Sequence, residues 1–235
     1  MKAIILIHGF LTNKDDFKNI IPELDKIYDY VCLYEVPGHT IPPNYKKFRV
    51  NETFETLLEC YDNLALDYDE IDCMGFSMGG ALGTYLQSKR RINKLVLLSP
   101  ANKYLNFKLF HNRLQLFKKI MKEKNKADLK AVLTDDKKAL SSAFTRLLPH
   151  YSVHNLQTFR KIIKICNQEL LAITSKVLII WGKLDQLVPY SSVKYVYDLA
   201  INERKLVILD DISHIMLQSE NYQKISDEIL KFLKG

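Results

Sequence analysis

Ser77 is the residue from which a chemistry can be built. It lies in Gly75-Phe76-Ser77-Met78-Gly79, with a glycine two positions to either side. A serine hydroxyl is a poor nucleophile until a base takes its proton and a third group orients that base. Downstream, Asp185 follows the apolar run at 176–181, and His214 follows the run at 205–209. Together these residue types would attack a carbonyl carbon, hold a covalent intermediate and pass it to water. Each also has a plainer role open to it. Ser77 can cap a helix N-terminus, and His214 can be a surface histidine. Asp185 competes with Asp210 and Asp211, which stand nearer to His214 in sequence but suit a turn.

The glycines set the serine's surroundings. Gly-x-Ser-x-Gly after a strand is the sequence form of a sharp strand-to-helix turn that holds the serine backbone under strain. Gly75 and Gly79 have no Cβ to collide as strand and helix fold back on each other. Gly80 and Gly83 would let the helix lie close to neighbouring strands. Half of the chain's 8 glycines fall in this short stretch. Alone the pattern is weak, so it needs partners from other loops at the same edge of a sheet.

Apolar runs at 3–7, 30–36, 69–75, 94–98, 176–181 and 205–209 supply that sheet; they predict six strands, mostly parallel and buried on both faces. Helical spacing falls between them at 16–24 (interrupted by Pro22), 52–66, 77–88, 191–199 and 222–233. Strands alternating with helices imply right-handed crossovers and an α/β architecture. His8-Gly9-Phe10, Ser77, Asp185 and His214 all leave C-terminal strand ends, where such folds place binding groups. From 101 to 174 no strand pattern occurs. Phe107, Phe110, Leu114, Phe117 and Met121 recur every three or four residues, and further helices are expected near Leu129, over 139–148 and over 153–171. A structureless loop of that length is uncommon, so 101–174 reads as a helical insertion in a core made of 1–100 and 175–235.

Composition bounds the class. The 235 residues are 47% hydrophobic and 26% charged, ordinary for a soluble globular chain. No apolar run approaches the ~20 residues that cross a bilayer, and Met1–Ile7 runs into His8-Gly9 without a cleavage-like site, so a cytoplasmic protein is expected. Cys32, Cys60, Cys73 and Cys166 are scattered, and Cys32 and Cys73 sit in apolar runs suited to reduced core thiols. The net charge of +7 is uneven: residues 101–170 carry 15 Lys/Arg against 5 Asp/Glu, leaving 19 basic and 22 acidic elsewhere. A solvated helical surface is the plain meaning, and weak contact with an anionic membrane surface the sharper one. No nucleic-acid, phosphate-loop or metal-ligand pattern accompanies the charge. The chain could be a monomer or a homodimer.

His8-Gly9-Phe10, Gly75-Phe76-Ser77-Met78-Gly79-Gly80, Trp181-Gly182-Lys183-Leu184-Asp185-Gln186-Leu187-Val188-Pro189 and Ser213-His214 resemble, in order and spacing, segments of the α/β-hydrolase superfamily, most of all its small bacterial carboxylesterases and monoacylglycerol lipases. The chain order Ser, Asp, His is that family's order. The match begins at what looks like the family's third strand, so its antiparallel edge strands have no counterpart. The resemblance implies Ser77 as nucleophile, His214 as general base and then acid, and Asp185 as the carboxylate that fixes the imidazole. It implies backbone N–H groups of Phe10 and Met78 as the oxyanion hole, and no cofactor. The resemblance makes 101–174 the family's helical cap insertion, and its aromatic content suits an apolar acyl group, with Phe107, Phe110 and Phe144 as candidate lining. The expected activity is hydrolysis of short- to medium-chain esters or monoacylglycerols. A thioesterase, a C–C bond hydrolase, a menaquinone-pathway-type lyase or a non-catalytic binding module on the same scaffold are the alternatives.

Overall fold

The computed structural model describes residues 1–103 and 153–235. The expected helices within 104–152, together with Phe107, Phe110 and Phe144, lie outside the described residues. Six strands form one sheet: β1 (Lys2–Ile7), β2 (Tyr30–Tyr34), β3 (Glu70–Phe76), β4 (Lys94–Leu98), β5 (Lys176–Gly182) and β6 (Arg204–Leu209). Their order is β2-β1-β3-β4-β5-β6. Every neighbouring pair is parallel, where a mostly parallel sheet was expected.

Successive side chains of a strand face opposite sides, and here both sides are buried. Ile5, Ile7, Cys73, Leu95, Leu97, Val177 and Ile179 face one core; Ile4, Leu6, Met74, Val96, Leu98, Leu178 and Ile180 face the other. This is why the strands read as unbroken apolar runs rather than alternating ones. The first core is closed by α2 (Val50–Leu64), α3 (Met78–Lys89), α4 (Val153–Glu169) and α5 (Tyr190–Asp198), through residues such as Leu57, Leu82, Ile162 and Val193. The second is closed by α1 (Ile21–Leu24) and α6 (Tyr222–Lys234), through Leu24 and Ile229, and by Phe17. In α3 every residue from Met78 to Gln87 is buried. A helix buried all round needs small residues, and Gly79, Gly80, Ala81 and Gly83 provide them.

The helix expected over 16–24 is instead a single 3-10 turn (Lys14–Phe17) followed by one α turn, α1. Pro22 is the reason. It has no N–H to donate and is tolerated only in a helix's first turn, so the chain restarts there. The insertion's last helix meets expectation as α4, two residues shorter than 153–171. No helix among the described residues is long and apolar enough to cross a membrane.

The strand order reverses about β1. The chain steps outward to β2, then returns to add β3 on β1's other side. Loops leaving β1 and β3 therefore head to opposite sides, and the crevice expected beyond their C-terminal ends is the switch point where open α/β sheets bind ligands. His8-Gly9-Phe10 leaves β1 and Ser77 leaves β3.

Candidate active site

Ser77 occupies the single residue between β3 and α3. Its φ of 55° and ψ of −113° lie where an L side chain is strained, at a cost of roughly 1–3 kcal/mol. The surroundings enforce it. Its N–H donates to the Leu98 carbonyl at 2.9 Å, and its own carbonyl accepts from Gly80 and Ala101, each at 3.0 Å. A Cβ on Gly75 would lie 2.2 Å from the Gly79 carbonyl oxygen, and one on Gly79 only 1.9 Å from that of Ile7. The turn can be this tight only because both positions are glycine.

His214 Nε2 lies 3.1 Å from Ser77 Oγ, and His214 Nδ1 lies 2.8 Å from Asp185 Oδ2. The three residues predicted from far-apart segments thus meet in one hydrogen-bonded line. Asp185 sits in the turn after β5, where its Oδ1 accepts from the Leu187 and Val188 N–H groups at 2.8 Å each. Its side chain is wholly enclosed. Burial alone would raise its pKa, but the charge and hydrogen bond of the His214 imidazole, with the Val188 N–H, hold it below the ordinary carboxylate value. An ionised Asp185 keeps the proton on Nδ1 and leaves the Nε2 lone pair facing the serine. Gly182 makes the approach possible: a Cβ there would lie 2.0 Å from the Ile212 carbonyl oxygen, on the loop that carries His214. The competing carboxylates are engaged elsewhere, Asp210 with Lys183 and Asp211 with Lys224.

The N–H groups of Phe10 and Met78 donate to no acceptor among the described residues. Met78 opens α3, so its N–H is one of the donors that a helix start leaves unused. The Phe10 ring packs 4.7 Å from Phe159 of α4 and 5.8 Å from Phe48. Behind it, His8 Nε2 accepts from the Val36 N–H at 3.0 Å, and its Nδ1 is 2.9 Å from the Gly9 carbonyl. Nδ1 therefore carries the proton. Burial pushes the His8 pKa down to about 4, and burial together with His8 pushes that of His39 to about 3. Both are neutral scaffold rings.

Asp16 carries no signal of its role in the sequence. Its Oδ2 accepts from the Gly9 N–H at 3.1 Å and from Thr12 Oγ1 at 2.5 Å, and its Oδ1 accepts from Gln218 Nε2 at 2.9 Å. One carboxylate therefore ties the loop after β1 to the segment just past His214. Burial pushes its pKa up to about 6, against the Thr12 and Gly9 hydrogen bonds and the nearby His214. An acid before an amphipathic run reads as a solvated helix start; only its partner 202 residues away marks it as different. Among the described residues, no three His, Cys, Asp or Glu side chains cluster as a metal-binding set.

The family model for the alpha/beta hydrolase fold matches residues 2–151. An uncharacterized hydrolase of Bacillus subtilis, YugF, is 25% identical, the alignment covering 99% of this chain and 90% of that protein. Among solved structures, that of the metagenome-derived lipolytic enzymes LipS and LipT superposes with a TM-score of 0.73 at 15% identity, covering 99% and 93% of the two chains. The monoacylglycerol lipase of Paleococcus ferrophilus gives 0.70 at 17%, covering 98% and 93%. At such identities the structural likeness speaks for the fold alone.

Proposed function

The chain belongs to the α/β hydrolase fold family, and on that footing we propose that it is a serine hydrolase that cleaves carboxylic esters through an acyl-enzyme. Ser77 Oγ attacks the ester carbonyl while His214 Nε2 takes its proton. The oxyanion is held by the N–H groups of Phe10 and Met78, and the positive end of α3 favours the same charge. Collapse of the tetrahedral intermediate expels the alcohol, protonated by His214, and leaves Ser77 acylated. Water then repeats the sequence with His214 again as base. Asp185 keeps the imidazole in the useful tautomer and stabilises the imidazolium. Asp16 positions the loop bearing the Phe10 donor. Nucleophile, base and oxyanion donors all come from this chain, so the reaction calls for no cofactor.

The observation that carries this reading is the line from Ser77 through His214 to Asp185, with contacts of 3.1 and 2.8 Å. The lipolytic activity named for two structural relatives favours esters with an apolar acyl group, and we place short- to medium-chain esters and monoacylglycerols among them. The test is labelling with a fluorophosphonate alongside turnover of nitrophenyl esters of graded chain length. An adduct on Ser77, lost with all turnover in Ser77→Ala, is expected. Ester turnover by protein that forms no adduct would overturn the serine mechanism. An adduct without turnover of any ester would move the assignment to thioester or C–C bond cleavage.

A further inference from the structure

Outside the crevice, two thiols face each other. Cys32 lies on β2 and Cys60 on α2, with their sulfurs 3.4 Å apart. Nothing in the sequence gives Cys32 this partner. We propose that Cys32 and Cys60 are a disulfide-forming site, oxidised intramolecularly by disulfides of small thiols.

The pair is held from both ends. One step along β2 towards its C-terminus, Tyr34 Oη donates to the Thr53 carbonyl and bonds Thr56 Oγ1, each at 2.8 Å. One step the other way, the Tyr30 and Tyr68 rings stack with centroids 5.8 Å apart. Two residues of strand advance about 6.6 Å, and the four helical residues from Thr56 to Cys60 advance about 6.0 Å. Strand and helix thus run back to back in matching steps, and Tyr34–Thr56 contact carries over to Cys32–Cys60 contact. The Tyr34 contacts thus hold the backbones that carry the two sulfurs side by side.

Access and pairing are selective. Cys32 and Cys60 are half-buried, whereas Cys73 and Cys166 are fully enclosed. β2 is an edge strand, so a small reagent can approach it from the side. Cys73 shares the row of Cys32, but Ile5 of β1 stands between them. Two strand spacings, roughly 9.6 Å, are too far for a disulfide without backbone movement. Either sulfur can donate in this contact; we assign the donor role to Cys60, the arrangement in which the Cys32 pKa is lowered and that of Cys60 raised. Cys32 is thereby the attacking thiolate.

The exchange balances. The Cys32 thiolate attacks one sulfur of the small disulfide, forms a mixed disulfide and releases the first thiol. Cys60 then loses its proton and attacks the Cys32 sulfur, forming Cys32–Cys60 and expelling the second thiol. The protein loses two hydrogens, and the reagent is reduced to two thiols. The loop so closed contains Val36, which binds His8, and Phe48, which packs on Phe10.

The experiment uses the reduced full-length protein and oxidised glutathione. After incubation under native conditions, remaining thiols are alkylated and the protein is mapped by mass spectrometry. The free thiol count is expected to fall from four to two, with one linked peptide joining Cys32 to Cys60. Cys60→Ser should stop at a glutathione adduct on Cys32, and Cys32→Ser should leave Cys60 largely unmodified. Four alkylatable thiols after prolonged excess oxidant would overturn the proposal. So would a glutathione adduct that persists on the wild type, or a link through Cys73 or Cys166. Hydrolase activity enters none of these readouts, so the ester assignment can fail without touching this result.

Discussion

Replacing Asp16 by asparagine tests the balance of forces behind the crevice. Asp16 is only 6% exposed, and two effects compete on its charge. Three donors, from Gly9, Thr12 and Gln218, favour the carboxylate, as does the facing His214; burial and the neighbouring Asp15 oppose it. Burial wins, and the pKa rises from 3.8 to about 6. A carboxyl whose folded pKa is raised contributes stability that is fully present below its unfolded value and lost as pH rises through the folded one. The shift of about two units corresponds to about 3 kcal/mol across the window from 3.8 to 6. The asparagine side chain is nearly the same size and offers an oxygen to Gly9 and Thr12, but it does not titrate. Urea unfolding of both proteins through that window should therefore show the Asp16→Asn variant gaining on the wild type by about 3 kcal/mol as pH rises. A stability difference that stays flat with pH would mean that the three donors fully compensate burial, and the reasoning would be wrong.

Three other substitutions probe separate parts of the design. Asp185→Asn keeps the shape but favours the wrong imidazole tautomer, so kcat on nitrophenyl esters should fall by about 10⁴-fold with KM little changed; a loss below roughly tenfold would remove Asp185 from the proposed mechanism. Gly79→Ala would place a Cβ 1.9 Å from the Ile7 carbonyl oxygen, and a destabilisation above about 4 kcal/mol, read by thermal melting together with lost Ser77 labelling, is expected. A Gly79→Ala protein that melts and labels like the wild type would show that the turn is not sterically closed. Tyr28→Phe removes the hydroxyl that donates to buried Asp72 at 2.5 Å and leaves that carboxylate the Lys94 N–H. It should cost about 1.5–3 kcal/mol in urea unfolding, and an unchanged midpoint would show that Asp72 is satisfied without it.

The sheet was legible in the sequence because parallel strands buried on both faces must be apolar along their length, and β1, β4 and β5 have that form after an opening lysine. Ser77 was legible because its turn demands glycines at fixed offsets, a requirement written in adjacent residues. His214 and Asp185 could be located by their place after strands, though only the fold could bring them to 2.8 Å of each other. What escaped were features made by long-range contact. Asp16 owes its role to Gln218, and Cys32 owes its partner to the packing of α2 on β2. Neither carries a local pattern. Pro22 was visible in the sequence, and it is where the chain restarts as α1.

The meeting of Gly79 with the Ile7 carbonyl has a wider consequence. The peptide that ends β1 leads straight into the loop holding Phe10, and the same peptide is the seat of the first turn of α3. The proposed nucleophile, Ser77, and the proposed oxyanion donors are thereby spaced by main-chain atoms in direct touch. Changing side chains nearby can alter which acyl group is admitted, but it has little purchase on that spacing. On the proposed mechanism, substrate preference and catalytic geometry are then mechanically uncoupled, and such a scaffold can diversify the first while conserving the second.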